Sequence, residues 1–126
     1  MENEGLLTER VDSTLRSLRL RPAFDEYEIH GAVAEALEAA GLDYVHEAPL
    51  GPRCRADFLI GGSVVVEIKR GRPAASALRR QLERYLMFPQ VTAAFVLTEK
   101  RVGLPACIAG KPCRTLSLSE LWGIAL

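Results

Sequence analysis

Apolar residues along this chain change their period four times, and the changes mark out its elements. Leu7, Val11, Leu15 and Leu18 recur at helical spacing, which predicts a helix over residues 8–20 with Thr8 as N-cap and Arg21-Pro22 as its end. Ile29, Val33, Ala36, Leu37 and Ala40 form a second apolar stripe. It predicts a helix from Asp25 to Ala40, with Asp25 and Glu28 as a capping-box-like start and Gly41 as the C-terminal glycine. Beyond Gly41 the period becomes that of strands. Tyr44–Leu50, Arg55–Ile60 and Ser63–Lys69 read as three strands, joined by a Gly51-Pro52 turn and a Gly61-Gly62 hairpin. Pro73 then opens a helix over Ala74–Met87. Strands at Val91–Thr98 and Cys113–Leu118 follow, and Ser119 caps a short last helix through Glu120, Leu121 and Trp122.

The order α-α-β-β-β-α-β-β-α implies a mixed sheet of four to five strands flanked by helices, an α/β domain. A length of 126 residues, 48 % of them hydrophobic, suits one such domain. Residues 23–126 are expected to form it, with residues 1–22 as an N-terminal helical arm serving dimerisation or DNA contact. No apolar run approaches the roughly 20 residues needed to cross a bilayer. The start MENEGLLTER lacks the basic-then-apolar layout of a signal peptide. A soluble, cytoplasmic protein without a membrane role is the expectation. Cys54, Cys107 and Cys113 are odd in number and form no CxxC pair, so neither a disulfide framework nor a zinc site is expected.

Sixteen basic and sixteen acidic side chains cancel, but their distribution does not. Lys69, Arg70, Arg72, Arg79, Arg80 and Arg84 fall close together, offset there only by Glu83, while acids concentrate between Asp25 and Glu38. A neutral chain can still turn one basic face to phosphates.

Alternation decides how Val64-Val65-Val66-Glu67-Ile68-Lys69 is read. Val65, Glu67 and Lys69 leave one face of the strand, and Val64, Val66 and Ile68 the other. A carboxylate and an ammonium thus share a face at the end of an apolar strand. Asp57 lies among Ala56, Phe58, Leu59 and Ile60, a poor place for an unpaired charge, and the glycine hairpin folds its strand back against Glu67. Two carboxylates brought together repel unless a cation sits between them. Oxygen-only ligation suits Mg²⁺ or Mn²⁺, and a nearby lysine can orient or deprotonate a water.

Asp57 followed by Glu67-Ile68-Lys69 resembles the D…ExK signature of the PD-(D/E)xK, restriction-endonuclease-like nuclease superfamily, with Ala56 where a proline is common. The resemblance spans about Asp25 to Thr98, where the α-β-β-β-α-β order is similar to the superfamily's core. Gln81-Leu82-Glu83-Arg84-Tyr85 is similar to the QxxxY element of RecB-type nucleases. The strings Arg55-Ala56-Asp57-Phe58 and Arg80-Gln81-Leu82-Glu83-Arg84-Tyr85 resemble those of small phage and mobile-element proteins.

The resemblance implies a Mg²⁺- or Mn²⁺-dependent DNA endonuclease in which water attacks a phosphodiester. Asp57, Glu67 and an acidic residue on the preceding helix would hold the metal. Glu26 is the choice for that third ligand, because it shares the stripe of Ile29, Val33 and Ala40; Glu28 is its rival, with a simpler capping role. Lys69 and Gln81 complete the catalytic set. Arg70, Arg72, Arg80, Arg84 and Tyr85 are the expected nucleic-acid contacts. Alternatives with the same site are a homodimeric junction resolvase, a non-catalytic DNA-binding module and an RNA-directed enzyme. Little chain remains for reading a base sequence, so specificity would come from DNA structure, a homodimer or a partner protein. His30 and His46 lack partners at ligand spacing and read as ordinary structural residues. Glu47 reads as an exposed strand residue.

Overall fold

The structure, a computed structural model, describes residues 2–121. These form three α-helices, six strands and a short 3-10 helix. The helices are α1 (Glu2–Arg16), α2 (Glu26–Ala39) and α3 (Ala75–Leu86). The strands are β1 (Tyr44–Gly51), β2 (Cys54–Ile60), β3 (Val64–Lys69), β4 (Ala93–Thr98), β5 (Cys107–Ile108) and β6 (Lys111–Ser117), and Leu118–Leu121 make the 3-10 turn. They build one mixed sheet in the order β1-β2-β3-β4-β6-β5. Antiparallel pairs join β1, β2 and β3; parallel pairs join β3, β4 and β6; and β5 returns antiparallel on β6.

The sixth strand exceeds the expected four to five. Cys107–Ile108 is only two residues long and carries no period of its own; it is a strand because Gly110 and Ala109, both at positive φ, turn the chain into Lys111–Ser117. The expected last helix reaches Trp122, which lies outside the described residues.

Central strands are buried on both faces, as a sheet covered by helices on both sides requires. All six residues of β4 are buried. On one side Val64, Val66, Ile68, Phe95 and Leu97 pack with Val11 and Leu15 of α1 and Ile29, Val33 and Leu37 of α2. On the other, Val65, Ala94 and Val96 pack against Leu78, Leu82, Tyr85 and Leu86 of α3.

The capping box at α2 forms as expected: Glu28 N–H donates to Asp25 Oδ1 (2.8 Å) and Asp25 N–H to Glu28 Oε1 (3.0 Å). The N-terminal segment departs from expectation. Thr8 is buried inside α1 rather than capping it, and the helix ends at Arg16, short of Arg21-Pro22. No proline interrupts the residues between Glu2 and Leu7, so the helix continues upstream of Thr8. Val11 and Leu15 are fully buried in the core shared with α2 and the sheet, and Arg114 of β6 donates to Glu9 (2.7 Å) and Asp12 (2.9 Å). This helix is a layer of the domain and not an arm standing off it.

That difference is measurable. Leu15→Ala should cost about 2–5 kcal/mol, the range for truncating a buried leucine, whereas an exposed arm would lose less than about 0.5 kcal/mol. Urea unfolding of the variant decides between them.

Candidate active site

The backbone register of β2 and β3 runs through Ile60↔Val64, Leu59↔Val65 and Phe58↔Val66. The next partners would be Asp57 and Glu67, and there the strands exchange side-chain bonds instead. Asp57 N–H donates to Glu67 Oε1 (3.2 Å), and Ile68 N–H donates to Asp57 Oδ2 (2.7 Å). Each carboxylate thereby occupies the place of a ladder carbonyl.

A change of face accompanies this exchange. Regular alternation puts Ala56, Phe58 and Ile60 on one side, yet Ala56 belongs to the α3-side core while Phe58 and Ile60 belong to the α1/α2-side core. Strand β1 does the same between Tyr44 and Leu50. Glu47, opposite Asp57 by register, has φ 53, a left-handed conformation that costs a non-glycine residue about 1–3 kcal/mol. Asp57 therefore sits at a kink of two strands and faces the seam between both helical layers.

From the α3 side, Gln81 Nε2 donates to Glu67 Oε2 (3.0 Å). The amide also donates to the Tyr85 hydroxyl (2.8 Å), which donates in turn to the main-chain carbonyl of Arg55 (2.9 Å). Lys69 Nζ lies 3.3 Å from Glu67 Oε2. Gln81 and Lys69 thus converge on one oxygen of a carboxylate that is 3 % exposed.

From the α2 side comes a feature that residue spacing missed. His30 Nε2 lies 3.7 Å from Asp57 Oδ2, and His30 Nδ1 is 2.8 Å from His46 Nε2. The His46 ring stacks on Phe58 (centroids 4.6 Å apart). The two histidines are sixteen residues apart on different elements, so no local pattern pairs them. The available signal was His30 standing four residues after Glu26, on the sheet-facing stripe.

The remaining predicted residues divide. Glu28 is used by the capping box. Glu26 lies in the first turn of α2; it is exposed, and the Arg70 N–H approaches its Oε1 at 3.5 Å. Its charge is felt by Asp57, but among the described residues no three metal-ligating side chains gather into one cluster. Tyr85, expected to touch nucleic acid, is buried and supports Gln81 instead. Arg72, Arg80 and Arg84 are exposed, and half-buried Arg70 pairs with Glu99 (3.1 Å).

Burial is the largest cause holding both carboxyls above the ordinary range. Asp57 is raised further by Glu26, against the opposing pull of the Ile68 N–H, His30 and Lys69; Glu67 is raised further by Asp57. The donor set is all oxygen at its centre, and among the described residues nothing bonds Asp57 Oδ1. A buried carboxylate, Glu67, and a half-buried one, Asp57, that repel each other and leave a spare oxygen fit a hard divalent cation, which takes one or two protein carboxylates and keeps water for the rest. No family model, curated protein or solved structure matches the chain. Among the described residues no helix is long and apolar enough to cross a membrane.

Raised carboxyl pKa values set the sign of a pH effect. The folded state retains protons that the unfolded chain has released, so stability without metal falls as pH rises from the ordinary carboxylate values near 4 through the raised ones, and the loss persists above them. Asp57→Asn keeps an acceptor for Ile68 N–H and removes one charge. Urea unfolding should show the variant gaining on wild type as pH rises from 4 to 7; a constant difference across that range would contradict the repulsion described.

Proposed function

We propose that the chain is a divalent-metal-dependent deoxyribonuclease with a restriction-endonuclease-like core. The observation carrying this reading is the exchange of bonds between Asp57 and Glu67 where β2 leaves β3, with Lys69 and Gln81 meeting on the same Glu67 oxygen. The mixed sheet flanked by helices is the scaffold such a site needs.

Asp57 and Glu67 would hold Mg²⁺ or Mn²⁺. When bound, the cation supplies Lewis-acid polarisation of the scissile phosphate and charge neutralisation as the phosphorus–oxygen bond breaks. Lys69, about one-third exposed at the mouth of the site, orients the attacking water and takes part in moving its proton. Water adds its oxygen to phosphorus, one ester oxygen leaves and is protonated, and a phosphomonoester and an alcohol result. Gln81, braced by Tyr85 and the Arg55 carbonyl, fixes the Glu67 carboxylate so that its lone pairs stay aimed at the site. From the opposite layer the His30 ring borders the Asp57 carboxylate, its Nε2 3.7 Å from Oδ2. Arg72, Arg80 and Arg84 offer positive charge at the surface to the phosphate backbone.

Linear, nicked, single-stranded and four-way-junction DNA incubated with Mg²⁺, Mn²⁺ or EDTA tests the activity. RNA of the same sequence tests the sugar. Asp57→Ala should abolish cleavage, and Mn²⁺ should raise the thermal midpoint of wild type but not of this variant. An equal rise in both would remove Asp57 from the metal site.

Lys69→Met keeps the aliphatic stem and removes the charge. It should retain DNA affinity and lose on the order of a hundredfold in single-turnover rate, the scale of a positioned acid or base. Cleavage near the wild-type rate would take Lys69 out of the mechanism.

A further inference from the structure

A groove of roughly 550 Å³ is lined by Pro52, Arg53, Cys54, Arg84, Met87 and Phe88. Two guanidinium groups reach it from different elements, Arg53 from the β1–β2 turn and Arg84 from α3. Among the described residues neither has an ion-pair partner, and no carboxylate lines the groove. Like charges gathered at one concave surface are stabilised by an anion between them. The rest of the lining is apolar. Met87 is 76 % exposed although its side chain is wholly apolar. Phe88 is half-buried, its ring lying over Gly51 so closely that a Cβ there would come within 2.8 Å of it. Gly51 thus leaves room for the ring.

The groove adjoins the carboxylate site. Its wall residue Cys54 feels both the Arg84 and the Glu67 charge, and Tyr85, next to Arg84 on α3, is the residue that braces Gln81. Resting on the phosphodiesterase reading above, we infer that this groove holds an unpaired nucleotide of the DNA strand beside the scissile bond, with its phosphate between Arg53 and Arg84 and its base against Phe88 and Met87. Cationic grooves with a ring for base stacking are the common chemistry of single-strand binding. A base paired and stacked inside a duplex cannot offer its face to such a floor, so the groove selects single-stranded, frayed or flapped DNA.

The test measures binding in EDTA, where no cleavage occurs. A fluorescein-labelled oligodeoxythymidylate of about 12 nucleotides, within the span of single-strand sites, is compared by anisotropy with a blunt duplex of equal length. Wild type should bind the single strand more tightly. Arg53→Asn suits the φ of 57 at that position; combined with Arg84→Ala, it should weaken single-strand binding about tenfold and lower the salt slope by about 0.7 for each phosphate that is no longer neutralised. Phe88→Leu keeps apolar volume without the π-face and should cost about fivefold on the single strand, the lower end for one stacked base. Met87→Ser, at an exposed position with no packing role, should weaken the single strand and leave the duplex within about twofold.

Tighter duplex binding by wild type, or equal effects of Met87→Ser on both DNAs, would overturn the inference. So would failure to bind either DNA, an outcome pointing to an acidic peptide as occupant. Cleavage with Mg²⁺ by variants whose single-strand affinity is unchanged sinks the groove and leaves the nuclease reading standing. Groove-dependent binding without cleavage of any substrate sinks the nuclease reading alone.

Discussion

Where β2 parts from β3, two main-chain N–H groups lose their ladder carbonyls, and the side chains of Asp57 and Glu67 accept from them instead. The rest of the site depends on this substitution. A buried N–H without a partner costs about 1–3 kcal/mol, so the carboxylates are held by the sheet's own need for acceptors. The same burial raises both carboxyls and leaves their repulsion unrelieved. The two main-chain hydrogen bonds pull the carboxyls down, against the burial that raises them. The arrangement replaces secondary structure and does not merely decorate it.

The helical layers then hold each carboxylate from one side. Helix α3 does two jobs along its length. Its buried stripe of Leu78, Leu82, Tyr85 and Leu86 fixes the helix on the sheet, and Gln81 at the edge of that stripe reaches Glu67. Arg80 and Arg84 leave toward solvent. Because Tyr85 is anchored on the carbonyl of Arg55 in β2, the helix, both strands and the carboxylate are tied in one chain of bonds. On the other layer, His46 stacked on Phe58 and bonded to His30 sets the imidazole beside Asp57. The kink at Glu47 brings β1 into this arrangement, with backbone strain kept close to the carboxylates.

Much of this frame was legible in the sequence, because it follows from short-range geometry. Alternation along Val64–Lys69 puts Glu67 and Lys69 on one face, the glycine hairpin brings Asp57 opposite Glu67, and a spacing of four on a helix aligns Gln81 with Tyr85. The capping box at Asp25 and Glu28 is equally local. Tertiary structure decided the rest. Strands β1 and β2 change face at Glu47 and Asp57 because two cores pull on opposite ends of each strand, a balance that no window of a few residues contains. His30 and His46 meet only because α2 packs across β1. Tyr85 turned inward because a carbonyl from a strand thirty residues earlier was there to accept its hydroxyl. The first helix became part of the core because Val11 and Leu15 found the sheet face left open beside α2. Periodicity states which side of an element is apolar; only packing among distant segments determines what that side meets.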